Sequence, residues 1–188
     1  MSIRSLESRT EVKIFDIENH CEATEREKLG KLGIVRFCNE SCYIKLNIDG
    51  KTCPHDFIQK ARERSVPVLL KGESPDTAEA LCKENPDIIF ICGGYFSKGY
   101  NVENTAKLMN ACSNMYLNLS GVFTLCNYFL HELLKRTPHD RLLFGTAYPH
   151  ANPAYKRATA LWEMRDISKE DKENIMYNNA ARLFGEEV

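Results

Sequence analysis

No apolar run in this chain approaches the ~18 residues that a bilayer-spanning helix needs. An excess of charge of one sign is missing as well. The 188 residues hold 25 Lys and Arg against 26 Asp and Glu, a formal net charge of -1. Such a balance sets up no field to hold nucleic acid or an anionic membrane, and no polybasic run replaces it. The amino-terminal stretch 1–10, MSIRSLESRT, reads as a polar tail without the apolar region of a secretory leader. These absences exclude the polymer-binding and membrane-spanning classes and give the expectation of a cytoplasmic protein. CxxC pairs are lacking too. The eight cysteines lie scattered in apolar contexts and read as buried thiols, neither a disulfide framework nor a zinc ribbon. Cys38, Cys42, Cys53 and His55 come closest to a zinc set, but the C-x3-C and C-x-H spacings are irregular for one.

What the chain does have is a regular alternation. Apolar, β-rich runs occur at 12–17 (VKIFDI), 34–38 (IVRFC), 43–48 (YIKLNI), 67–71 (PVLLK), 87–92 (DIIFIC), 115–120 (MYLNLS) and 141–145 (RLLFG). Several are apolar almost throughout, as parallel strands covered on both faces are. Between them, helical periodicity predicts helices at 24–32, 55–64, 75–84, 102–112, 123–136, 154–165 and 169–184. Their starts carry cap signals: Thr24 with Glu27, Ser74 before Pro75, and Ser168 with Asp171. Strands and helices in alternation predict βα units with a parallel sheet. No linker, repeat or low-complexity tract divides residues 1–188, so a single domain is expected.

The stretch RLLFGTAYPH, Arg141 to His150, delivers a strand end into a polar turn, and YNNAARLFG, Tyr177 to Gly185, follows it with a helix whose Met176, Ala180, Leu183 and Phe184 share a face. Together they resemble the carboxyl end of the amidohydrolase-related, metal-dependent hydrolases of the TIM-barrel superfamily, whose last-strand motif reads FGSDYP. The resemblance continues upstream. IFDIENH, Ile14 to His20, is similar to the first-strand pattern of Asp followed by His-x-His, with Glu18 in place of the first histidine and His20 in place of the second. YIKLN carries Lys45 where the family often has lysine. PVLLKGE is similar to a strand ending in a metal histidine, here Lys71, and IIFICGG to one ending in HGG, here Cys92. MYLNLSG fits the seventh strand.

The resemblance implies an α/β, shortened TIM-barrel-like fold of about seven parallel strands with outer helices. A complete barrel takes ~250 residues, so one βα unit between the first and fourth strands is missing. It also implies a site at the barrel mouth, where the aligned positions hold Glu18, His20, Lys45, Lys71, Cys92, Ala147 and Tyr148. The family's metal-binding, proton-accepting aspartate is Ala147 here. Glu18, His20 and Cys92 are the only aligned residues able to ligate zinc, and Lys71 adds a cation that opposes it. No resident metal is therefore expected.

Three readings follow for the altered mouth. One is a degenerate family member that has lost metal-dependent hydrolysis and serves as an assembly partner. Another is a binder of a small anionic molecule through Lys45 and Lys71, with Tyr95, Phe96, Tyr148 and His150 as lining. The third keeps an enzyme, a hydrolase or lyase acting on a small carboxylate or carbonyl substrate through Glu18, His20, Lys71 and Cys92, with a lysine able to form a Schiff base. Against the third stands a simple ion pair of Lys71 with Glu18 or Glu73. A homodimer across the barrel gap is expected, because exposed strand edges are usually covered. Trp162, the single tryptophan, is expected in outer-layer packing or a subunit interface. His131 and His139 read as packing or surface residues.

Overall fold

The computed structural model describes residues 12–17, 25–38, 41–48, 53–72, 75–93, 101–121 and 128–186. Within them each strand signal becomes a strand: β1 Ile14–Asp16, β2 Ile34–Phe37, β3 Ile44–Ile48, β4 Val68–Gly72, β5 Phe90–Gly93, β6 Met115–Asn118 and β7 Leu142–Leu143. The helices are α1 Arg26–Gly30, α2 Pro54–Arg64, α3 Pro75–Glu84, α4 Val102–Ala111, α5 Phe129–Leu134, α6 Pro153–Glu163, α7 Lys169–Glu173 and α8 Asn179–Phe184, with one π-turn, Asn174–Asn178, joining the last two. The predicted helix at 169–184 is thus one continuous helical segment with a widened turn. Thr24, Ser74 and residues 122–127 lie outside the described residues. The Ser168 cap forms as expected, its hydroxyl accepting from the Asp171 N–H at 2.9 Å.

All strand pairings are parallel. β3, β4, β5, β6 and β7 form one sheet in chain order, and β1 pairs with β2. A backbone bond from Ile17 N to Phe144 O, 3.2 Å, carries β1 onto the extension of β7. Among the described residues no ladder joins β2 to β3, and only residues 38–43 connect them. That is far short of the ~10–12 residues a crossover between neighbouring parallel strands requires. Among the described residues the barrel is therefore open between β2 and β3, as a shortened form would be. Both edges are blunted. Arg36 donates to its neighbour Val35's carbonyl at 3.1 Å and pairs with Glu186 at 3.4 Å, and Arg64 donates to the Ser41 carbonyl at 2.8 Å. Charged side chains on an edge oppose strand addition.

Alternation along the strands makes two layers. Val68, Leu70, Phe90, Met115, Leu117, Leu142 and Phe144 face the helices in the larger core. Phe15, Leu69, Ile91 and Leu143 face inward, where Tyr177, Ala180 and Ala181 from the carboxyl-terminal segment pack on them. The NNAARLF stretch closes the structure as its apolar face suggests. Its Asn179 amide donates to the carbonyls of His139 (2.8 Å) and Leu142 (2.9 Å), satisfying the chain as it enters β7. The π-turn has a local cause: Phe144 N donates to the Ile175 carbonyl at 3.1 Å, and an outside donor inserted into the helical ladder widens it.

Side chains finish the same end of the sheet. The Asn114 amide lies 2.9–3.1 Å from the carbonyls of Cys82, Asn85 and Ile88. Arg141 donates to the Cys112 carbonyl at 2.5 Å, and His139 bridges the Leu134 carbonyl (2.9 Å) and Asp171 (3.1 Å). At α5 the cap comes from another helix. The buried Glu163 carboxylate of α6 accepts from Tyr128 N at 3.0 Å and His131 N at 2.9 Å, satisfying orphan donors at the α5 start.

Candidate functional site

The carboxyl ends of the strands are where ligands meet a βα barrel. Register places the candidates there. Lys45 stands opposite Leu69 and Asn47 opposite Lys71, so all four side chains leave the same face of the sheet, the inner one that Leu69 defines. Lys45 and Lys71 are half-buried diagonal neighbours on β3 and β4, and Lys45 Nζ lies 6.0 Å from the Tyr43 ring centroid. Two ammonium groups thus share one side of the mouth. Glu18, His20, Glu73, Tyr95 and Phe96 lie outside the described residues.

Cys92 differs from its expected placement. It alternates with Ile91 on β5, and Ile91 faces inward, so Cys92 points the other way and is buried beside Leu70 and Leu117 in the helix-facing core. There it neighbours Cys82, whose thiol is pushed upward by burial and then by Cys112. Cys38 is likewise pushed up, first by burial and then by the adjacent Cys42. Thiols held protonated in this way are neither good nucleophiles nor metal ligands. Cys53 and His55 are exposed at the start of α2, so the irregular Cys38, Cys42, Cys53, His55 set does not join the mouth.

On the inner face the space between β5 and β7 is occupied. Gly93 is opposite Asn118 in register, and a Cβ built on Gly93 would collide with the Asn118 Cβ. One built on Gly145 would meet Asn118 Oδ1 at 2.5 Å and Ser120 Cβ at 2.9 Å. Two residues without side chains therefore let one carboxamide lie between their strands, fully buried, with Oδ1 accepting from Ser120 N at 2.9 Å. On α6, the inward helical spacing of Lys156, Ala160 and Met164 carries a buried lysine whose ammonium donates to the carbonyls of Ser120 (3.0 Å) and Gly121 (3.1 Å).

The turn after β7 keeps a demanding shape. Asp16, fully buried at the end of β1, accepts from Thr146 N at 2.9 Å and from the Thr146 hydroxyl at 2.5 Å. The Thr146 hydroxyl oxygen in turn accepts from Tyr148 N at 3.2 Å. Between them Ala147 sits at φ 56°, a left-handed conformation that Asp and Asn adopt far more readily than alanine. Tyr148 is half-buried and its hydroxyl donates to Glu25, tying the turn to the start of α1. His150 is exposed. Sequence reasoning matched Asp16 to the family pattern without a role, and it missed Asn118, Thr146, Lys156 and Glu163. Only Lys156 had a legible signal, its place on the apolar side of α6.

This architecture, parallel βα units with a polar turn after the last strand, is that of a βα barrel-type domain. Residues 51–185 match the family model described as Amidohydrolase; the chain belongs to the amidohydrolase family. A comparison with curated proteins finds no match. Among solved structures, the chain is similar to an Amidohydrolase 2 from Bifidobacterium longum subsp. infantis, with 19% identity and TM-score 0.50, covering 69% of this chain and 53% of that one. It is similar to an organophosphorus hydrolase from Deinococcus radiodurans at 14% identity and TM-score 0.55, covering 76% and 54%. A putative amidohydrolase from Staphylococcus aureus shares 15% identity and TM-score 0.54 over 97% of this chain and 90% of that one. The chain thus spans about half the length of the first two. These likenesses establish the fold.

The metal that the family implies does not fit the described side of this mouth. A divalent ion needs converging imidazole and carboxylate donors with an open position. Here Lys71 presents a cation, Cys92 faces away, Ala147 offers no donor and Asn118 fills the space between Gly93 and Gly145. Among the described residues no three of His, Cys, Asp and Glu come together as a metal would require. No helix among them is long and apolar enough to cross a membrane.

Proposed function

We propose that this chain is a degenerate amidohydrolase that has lost metal-dependent hydrolysis and acts as a small-ligand-binding or assembly protein, the binding reading giving its mouth a small anionic molecule. One observation carries the reading: the Asn118 carboxamide occupies the inner face between Gly93 and Gly145, beside a turn where Ala147 stands at the position of the catalytic aspartate. Water activation needs a base within hydrogen-bond reach, and a methyl group supplies none. The ligand class rests on Lys45 and Lys71, two cations on one face at the strand ends, which suit a carboxylate or phosphate. Loading with Zn2+ or Mn2+ and assaying small esters, lactones and aryl carboxylates tests the loss of hydrolysis. No metal-dependent turnover is expected, and turnover abolished by His20→Ala would overturn the reading. Thermal shift with small carboxylates and phosphate esters tests the binding; stabilisation should disappear in Lys71→Met.

The same lysine pair favours one second reading, a lyase using Lys71 as a Schiff-base nucleophile toward a carbonyl substrate. Borohydride reduction in the presence of small keto acids, followed by mass spectrometry, separates the two. A Lys71 adduct supports the lyase, and its absence supports the binder.

A further inference from the structure

Among the described residues two pairs of cysteines stand within hydrogen-bond reach of each other, Cys38 with Cys42 and Cys82 with Cys112, and all four are thiols. Their surroundings differ. Cys82 and Cys112 are both buried in the helix-facing core. Cys38 is buried in the inner cluster, but Cys42 packs at the margin of that cluster and is only half-buried. This second pair also sits on the short connector between β2 and β3, where the described barrel is open. Backbone groups are anchored on both sides of it. Cys38 N donates to the Asp16 carbonyl at 3.1 Å, the Ser41 carbonyl accepts from Arg64 at 2.8 Å, and Ile44 N donates to the Pro67 carbonyl at 3.0 Å. Passing from hydrogen-bond reach to the bond length of a disulfide, about 2 Å, asks the sulfur atoms to move only roughly 1–2 Å.

We infer that Cys38 and Cys42 form a peroxide-sensitive dithiol, a reversible modification site in which Cys42 is the attacking sulfur and Cys38 the resolving one. The half-buried Cys42 meets the oxidant. Its sulfur attacks a peroxide, the O–O bond breaks and an S–O bond forms. The thiol proton leaves with the departing oxygen as water or alcohol, so the sulfur loses two electrons and the peroxide gains them. Cys38 then attacks the Cys42 sulfenic acid: the S–O bond breaks, the S–S bond forms, and the Cys38 proton leaves with the hydroxyl as water. Burial holds Cys38 protonated and makes it a poor first nucleophile. Fixed beside its target, it acts through proximity instead. A thiol reductant reverses the bridge by exchange. The bridge ties the residue after β2 to the approach of β3, closing a ring across the connector at the open seam. Cys82 and Cys112 are also within reach of each other, but with neither sulfur open to the oxidant they stay reduced. The inference is independent of any chemistry at the mouth.

Trypsin releases both sulfurs on one peptide, residues 37–45, FCNESCYIK. The full chain, treated with hydrogen peroxide and then alkylated and digested without reductant, should yield this peptide short of two hydrogens and carrying no alkyl group. Dithiothreitol before alkylation should return both sites. Cys82 and Cys112, alkylated after denaturation, should remain thiols throughout. In Cys38→Ser the Cys42 sulfenic acid has no resolving partner, and its labelling by dimedone should rise roughly tenfold or more. In Cys42→Ser, Cys38 should stay alkylatable through the same treatment. The proposal is overturned if peptide 37–45 keeps both thiols at peroxide levels that oxidise the exposed Cys53, or if Cys42 bridges to another cysteine instead. It is overturned equally if Cys38→Ser labels no more than the parent chain, or if Cys38 is oxidised as readily in Cys42→Ser as in the parent.

Discussion

The two ends of the strands have been treated differently. At the amino ends, side chains satisfy the carbonyls of the entering chain one by one: Asn114 reaches three, Asn179 two, and Arg141 and His139 others. At the carboxyl ends, the positions where this family places metal ligands hold Lys71, a cysteine turned to the helices and Ala147, with Asn118 between two glycines. The amino ends specify the barrel and the carboxyl ends specify chemistry. On the proposed reading the amino ends are kept while the catalytic set is replaced, which requires a fold that does not depend on that set.

The largest effect expected is at a mouth residue that serves structure, Asp16. Asp16→Ala strands the Thr146 N–H and hydroxyl in a fully buried place and should lower stability by about 3 kcal/mol, since bonds to a buried carboxylate are the strong ones. Urea unfolding measures it, and a change under ~0.5 kcal/mol, the range of ordinary surface substitutions, would remove Asp16 from the account. Asn179→Ala sharpens the amino-end half of the comparison. It leaves the His139 and Leu142 carbonyls without this donor and should cost about 2 kcal/mol, read by the same titration.

Lys71→Met separates a structural lysine from a binding one. As a fully buried ion pair it would cost ~3 kcal/mol to break; Lys71 is only half-buried, so solvent screening reduces the expected loss to about 1 kcal/mol. Calorimetric melting checks this, together with the loss of ligand-induced stabilisation. The smallest effect runs the other way. Ala147→Gly relieves a left-handed residue at φ 56° and should raise stability by about 0.5–1 kcal/mol. A fall in melting temperature would show that the methyl group packs where the turn needs it.

Much of the fold was legible in the sequence. Runs such as PVLLK and DIIFIC are apolar throughout because both their faces are covered, and every strand signal from VKIFDI to RLLFG became a strand. The last one shrank to two residues because Phe144 bonds to Ile175 instead of extending the ladder. Cap residues marked the start of α7 but not of α5, whose cap is Glu163, thirty or more positions away in the chain. The site was legible only in part. Lys45 and Lys71 leave the same face of the sheet. Cys92 does not join them, since the inward or outward sense of a strand end depends on register, which a single strand does not reveal. Asn118 was hidden for a related reason: its place requires Gly93 and Gly145 to flank it from separate strands.

The proposed function requires a barrel that stands without metal chemistry. The most direct measurement is metal content after loading: the full chain incubated with excess Zn2+ or Mn2+, freed of unbound ion by gel filtration without chelator, and read by plasma emission spectroscopy. The account predicts far less than one ion per chain, with a melting temperature unmoved by either metal. One ion retained per chain, together with a raised melting temperature that returns to baseline in His20→Ala, would contradict it.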